Sequence, residues 1–196
     1  MEKINFIKTF IPKGDFKEKY EHGGMMVRHL AAVLDEKMGA YECYECTVPI
    51  GEYDEGEIQK AFIEFTSKMD ALKLKQAKVE KIAEITAYDT SDKVNGFVLN
   101  RLLVWLDKAT RVGLMNSTTI AKAAGQQTTT LWLGDVKLEV DCDKAIQLLS
   151  ALEMYALECF NVTAAHKAAV TDLKTIKEVE AFDVTADYPK KLEMKL

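Results

Sequence analysis

Cys43 and Cys46 form a C-x-x-C pair, and together with His22, His29 and His166 they are the first residues of this chain to weigh for chemistry. A C-x-x-C can hold zinc or cycle between dithiol and disulfide. Redox use needs a thiol pKa lowered at a helix N-terminus, whereas residues 40–48 read as a β-strand. Zinc needs two further ligands at a matching spacing, and Cys142 and Cys159 make no second pair. The pair therefore reads as structural, with Cys142 and Cys159 as small buried hydrophobes. The histidines fall on separate elements without H-x-x-x-H or H-E-x-x-H spacing, so they read as scattered surface or boundary residues.

Nucleophile motifs are missing: the chain has no G-x-S-x-G, no P-loop and no G-x-G-x-x-G. Ser91 and Ser117 fit turn or cap positions, and Ser150 fits a helix interior. Two carboxylate pairs could do acid–base work. Asp141 and Asp143 stand at a helix start, where the dipole favours negative charge. Glu153 and Glu158 are expected to face solvent, without the isolation that raises a carboxyl pKa. Trp105 and Trp132, with Tyr88, Phe97, Tyr155 and Phe160, could stack on a sugar, but aromatics on strands facing a helix are more often core. Asn161-Val162-Thr163 has the form of a glycosylation acceptor. No catalytic residue, cofactor or metal site is expected from these patterns.

The elements that would position such groups fall into three regions. Residues 1–53 favour strands: residues 4–11 stop at Pro12-Lys13-Gly14, and a hairpin follows His22-Gly23-Gly24, its arms flanking Asp35-Glu36-Lys37-Met38-Gly39. Leu30 to Leu34 could alternatively start a helix. Residues 54–87 read as a long helix, with Ile58, Phe62, Phe65, Met69 and Leu72 in steps of four and three and Val79, Ile82 and Ile85 resuming the stripe. Gln76 interrupts the seam. Such a helix would extend on the order of 50 Å. Five of its lysines, Lys68, Lys73, Lys75, Lys78 and Lys81, lie among acids as on a solvated face.

Residues 88–196 alternate hairpins and helices. One hairpin turns at Asn100-Arg101 and a second at Gly134-Asp135. Asp107 caps a helix over residues 108–115, and Ser117 caps another over 118–124, ending at Gly125. Asp141 caps the strongest helix, which stops near Asn161-Val162-Thr163 before a shorter one through Val170. Thr175-Ile176-Lys177-Glu178 has the form of a capping box, and residues 192–196 add an edge strand.

Composition narrows the classes. The chain has 196 residues, 48% hydrophobic and 29% charged, as in an ordinary soluble globular protein. Its net charge of −5 is spread along the sequence, so no basic region tracks phosphates and nucleic acid is not an expected partner. The stretch Met1 to Lys8 is charged and lacks an apolar h-region, and no run approaches the roughly eighteen apolar residues of a membrane span. Neither signal peptide nor membrane insertion is expected, and a reducing cytosol is the expected site of folding.

Beyond these physical readings, the stretch from about residue 78 to 196 resembles an uncharacterised domain family of unknown function found in phage and prophage genes, often among tail and tail-fibre genes. The resemblance rests on Ala87-Tyr88-Asp89-Thr90-Ser91-Asp92, Trp105-Leu106-Asp107-Lys108-Ala109-Thr110-Arg111, Thr130-Leu131-Trp132, Leu149-Ser150-Ala151-Leu152-Glu153-Met154-Tyr155-Ala156 and Ala181-Phe182-Asp183-Val184-Thr185-Ala186-Asp187-Tyr188-Pro189. The family offers no catalytic residues to transfer. It implies a tailed-phage or prophage context, in the virion or the host cytoplasm, with other tail or tail-fibre proteins as partners.

The expectation is an α+β fold: an N-terminal β-rich segment, a long connecting helix, and a C-terminal unit of two hairpins packed on helices. The function expected is that of a non-enzymatic structural or accessory tail protein acting through protein–protein contacts, possible also as a homo-oligomer. Phe62, Phe65, Met69 and Leu72 are its candidate partner-contact residues, weighed against a place in the protein's own core. A tail-fibre assembly chaperone and a glycan-binding adsorption module are the alternatives.

Overall fold

Short alternating segments at the start of the chain pair into an antiparallel sheet. In the computed structural model, which describes residues 4–195, these are β1 (Ile7–Pro12), β2 (Lys19–His22), β3 (Met25–Asp35) and β4 (Ala40–Pro49), in the order β1-β4-β3-β2. Met1 to Lys3 of the N-terminal stretch, and Leu196 at the other end, lie outside the described residues. Asp35 pairs with Ala40, and its side chain accepts from the Lys37 and Met38 amides, closing the hairpin. Residues 30–34 stay in the strand. The helical alternative fails because Ala31 takes a positive φ of 52° at a register shift between Leu30 and Val33, a bulge that bends β3 without ending its ladder.

A helix then crosses from the first unit into the second: α1 (Glu55–Asp89). Asp54 and Glu57 start it reciprocally, each backbone N–H donating to the other's carboxylate at 2.9 and 2.8 Å. One compact unit ends at Lys73 and the other begins at Leu74. In the first, Ile58 and Phe62 of α1 cover Leu30, Cys46 and Val48 of the sheet.

The second unit takes the remaining turns of α1 together with β5 (Phe97–Leu99), β6 (Leu102–Val104), α2 (Lys108–Ala123), β7 (Thr128–Leu133), β8 (Val136–Asp141), α3 (Cys142–Asp172), α4 (Ile176–Glu180) and β9 (Glu193–Met194). Asn100 and Arg101 both take positive φ, 49° and 72°, as the two central residues of a primed hairpin turn require. β9 pairs in parallel with β5 and forms an edge of the order β6-β5-β9, as expected for that segment. The core joins both hairpins to α3: Phe97, Leu99, Val104, Leu131 and Leu133 meet Leu148, Leu149 and Leu152. Each such side chain contributes on the order of 1.5–3 kcal/mol by leaving water. A separate cluster binds Ile85 of α1 to Val170 of α3 and to Val184.

Two helix boundaries differ from the sequence reading. Ser117 does not cap a new helix, because α2 runs unbroken from its Asp107 cap, which accepts from the Thr110 amide, to Ala123. Nor does α3 stop at Asn161: it continues to Asp172, with Thr163, His166 and Val170 on its buried face. The other caps stand as expected. Asp141 accepts from the Asp143 and Lys144 amides, and Thr175 with Glu178 forms a complete capping box.

Candidate functional site

The four residues first considered for partner contact all lie on α1 and meet different surroundings. Phe62 is buried, and Phe65 packs beside it, ring centroids 6.5 Å apart, with Phe6 and Tyr44 each 5.3–5.6 Å from both. Met69 is half-buried, and Leu72 is exposed. Phe62 and Phe65 therefore serve the first unit's own core.

The thiols lie deep. Cys43 and Cys46 are both buried in β4. Their odd spacing sends the side chains to opposite faces of the pleat, Cys46 toward α1, so the pair has no common ligand position and no disulfide geometry. Burial pushes the thiols of Cys43, Cys46 and Cys159 up from their ordinary value. Among the described residues no group of three or more His, Cys, Asp or Glu side chains could hold a metal ion. A thiol needs exposure and thiolate character to react, and all four cysteines are buried. An aromatic disulfide reagent at pH 8 is thus expected to titrate fewer than about one thiol in the native protein within minutes, and all four after unfolding in urea. Fast reaction of the native pair would show that β4 opens.

Two of the histidines depart from the surface or boundary positions read from sequence. His29 and His166 are each only 6% exposed. Nδ1 of His29 meets the Lys17 carbonyl, and its Nε2 lies 3.2 Å from Glu45, so the ring ties the β1–β2 loop to the sheet. His166 sits edge-on to Phe182 and Tyr188 at 5.3 and 5.5 Å. His22 is exposed in β2.

The tryptophans also depart from the expected core. Trp105 is 46% exposed and Trp132 57%. In each case the flanking residues are buried (Val104 and Leu106, Leu131 and Leu133) while the indole is exposed; for Trp132 this is the alternation of β7, whereas Trp105 lies just past the end of β6, in the link to α2. Phe97 and Tyr155 are core, whereas Phe160 is exposed.

Trp105 borders a groove of about 360 Å³ in the second unit. Its polar lining comes from Asp89 at the end of α1, Asn95 in the following turn, Lys108 and Arg111 at the start of α2, and Glu153 of α3. Ala156, Leu157 and Phe160, which follow Glu153 at helical spacing, provide the apolar wall with Trp105.

These polar groups are held by bonds of their own. Arg111 is buried; its Nε donates to Glu153 at 2.8 Å and its Nη1 to the Leu106 carbonyl at 2.7 Å. Glu153 is thus ion-paired, with its side chain still 47% exposed to solvent. The guanidinium carbon lies 5.8 Å from the Trp105 ring centroid, a cation–π contact. The Thr163 hydroxyl donates to Asp89 at 2.7 Å and shares its other side with the Tyr188 phenol at 2.7 Å. Asn95 donates its side-chain amide to the Asp89 carbonyl. Behind them the Tyr155 hydroxyl donates to the Val94 carbonyl at 3.0 Å, and burial pushes that phenol well above its ordinary value.

Glu158 is exposed outside this arrangement, while Asp143 pairs with Lys122 at the far end of α3. Ser91 donates to the Tyr88 carbonyl at 2.6 Å, and Ser117 and Ser150 face solvent from helix interiors. The groove can stack and hydrogen-bond. Sequence reasoning passed over Asp89, Asn95 and Arg111 because each is ordinary in its own segment. The one available signal was that Tyr88-Asp89, Trp105 to Arg111 and Glu153 all lie in the stretches that carry the family resemblance.

No curated protein and no solved structure matches the chain. One family model does match, described as a domain of unknown function, DUF4376; it covers residues 76–186, more than half of the chain and every residue lining the groove, and the chain belongs to that family.

Proposed function

We propose that this protein is a non-enzymatic structural or accessory component of a tailed bacteriophage or prophage, working in the tail or tail-fibre region through protein–protein contacts. The phage context follows from the resemblance of the family domain. The observation that supports a contact role is in the first unit, where the apolar surface of the sheet runs beyond the reach of α1. Phe10 of β1 and Val33 of β3 both pair with Glu42 of β4, which places the three in one cross-strand row. Phe10 is 50% exposed and Val33 67%, and Met38 at the neighbouring hairpin tip is 59% exposed. The outer side of β1 is a sheet edge, so backbone groups stand next to these side chains. Two exposed apolar side chains flanking the Lys8-paired Glu42, beside an open edge, favour docking by another chain.

Quantitative mass spectrometry of purified virions tests the reading. The chain is expected in a fixed ratio to a tail protein. If virions lack it while its deletion leaves particles without functional fibres, the assembly-chaperone alternative replaces the virion role. Particles that neither contain nor require it would overturn both.

A further inference from the structure

The groove beside Trp105 has the composition of a ligand site, and we propose that it binds a short, uncharged saccharide. A sugar ring presents an apolar face of C–H groups and a rim of hydroxyls. It therefore needs an exposed aromatic surface next to fixed donors and acceptors. Trp105 and Phe160 provide the surface, 46% and 64% exposed, and both line the same groove. Neither is required to fill the core beneath, which closes with Val104 and Leu106 on one side and Leu152 and Tyr155 on the other.

The polar rim fits the same ligand. Asp89 and Glu153 offer carboxylates, and Arg111 and Lys108 offer N–H donors, all lining the one depression. Their formal charges cancel, so nothing in the groove selects a phosphate or a strongly ionic group. The rim is also set before a ligand arrives. Thr163 fixes Asp89 at 2.7 Å, and Arg111 is anchored by the Leu106 carbonyl at 2.7 Å as well as by Glu153. Such preorganisation removes part of the ordering cost of binding. At about 360 Å³ the space stands near the lower end of ligand pockets, roughly 300–1,000 Å³, which suits one or two sugar rings.

This inference is independent of the virion reading, since it concerns the purified chain alone. The test is a panel of neutral hexose and N-acetylhexosamine oligosaccharides titrated into the full-length protein, followed by calorimetry and by the indole N–H signals in NMR. At least one member is expected to bind and to shift the Trp105 indole signal, leaving Trp132 in place. Trp105→Ala and Phe160→Ala are each expected to weaken that binding about tenfold or more, while Trp132→Ala, which removes a still more exposed indole outside the groove, does not. Unaltered urea midpoints confirm that the variants are folded. If Trp105→Ala is unstable, Phe160→Ala and the NMR shift decide. No binding across the panel, or binding that survives both groove substitutions, overturns the proposal.

Discussion

Asn161→Pro is expected to destabilise the second unit by about 3 kcal/mol or more. Asn161 sits inside α3 with an exposed side chain, so no core contact is touched. Proline there removes one helical N–H and drives its ring against the preceding turn. The damage is not local. Two residues on, Thr163 carries the hydroxyl that holds Asp89 and Tyr188, and further along Val170 packs on Ile85 and Val184. Asn161→Ala is the control and should change stability by less than about 0.5 kcal/mol, slightly in the favourable direction. Both tryptophans belong to the second unit, so intrinsic fluorescence during urea unfolding reports on it. With a slope near 2 kcal/mol per molar, the proline variant should lose about 1.5 M in midpoint. If both variants behaved alike, the helix would be broken at Asn161 after all.

That boundary shows where local sequence signals stop. Asn161-Val162-Thr163 is a run of poor helix formers, and by propensity alone it reads as an end. The helix continues because Thr163 finds its partners 74 and 25 residues away, a compensation that no sequence window contains. Ser117 misleads similarly: it is a good cap residue, but the next position, Thr118, is wholly buried, so α2 is committed to its packing face through that point. Where the determinant is local, the reading holds. The caps at Asp107 and Asp141, the box at Thr175 and the turn at Asn100-Arg101 need only their immediate neighbours. β2 was missed because its residues, Lys19 to His22, are all exposed and carry no apolar alternation.

The groove was only partly legible for a related reason. Its members come from α1, the turn after it, α2 and α3, and each segment explains its own polar residue by ordinary means. What was available was the outward direction of Trp105. Val104 and Leu106 are natural core residues, and the link from β6 to α2 buries both and leaves the indole between them exposed. Weighing aromatics as core by type, not by phase, hid that.

Phase along one helix also governs the second large effect. Leu149 and Leu157 are both leucines of α3, eight residues apart, yet the first is 1% exposed and the second 49%. Leu149 fills the space between the two hairpins, touching the cluster of Phe97, Leu131 and Leu133. Leu149→Ala should cost about 3 kcal/mol, within the usual 2–5, because the surrounding strands close only part of the cavity. Leu157→Ala removes the same atoms from a groove wall already in contact with water and should cost under about 1 kcal/mol. Urea unfolding followed by fluorescence separates the two, with a midpoint shift near 1.5 M expected for Leu149 alone. Helical propensity cannot produce the difference, since both sites change leucine to alanine in the same helix. Equal losses would mean that the Trp105 groove is closed and packed in solution. A saccharide would then have no wall to meet there, and the ligand proposal would fail with the stability argument.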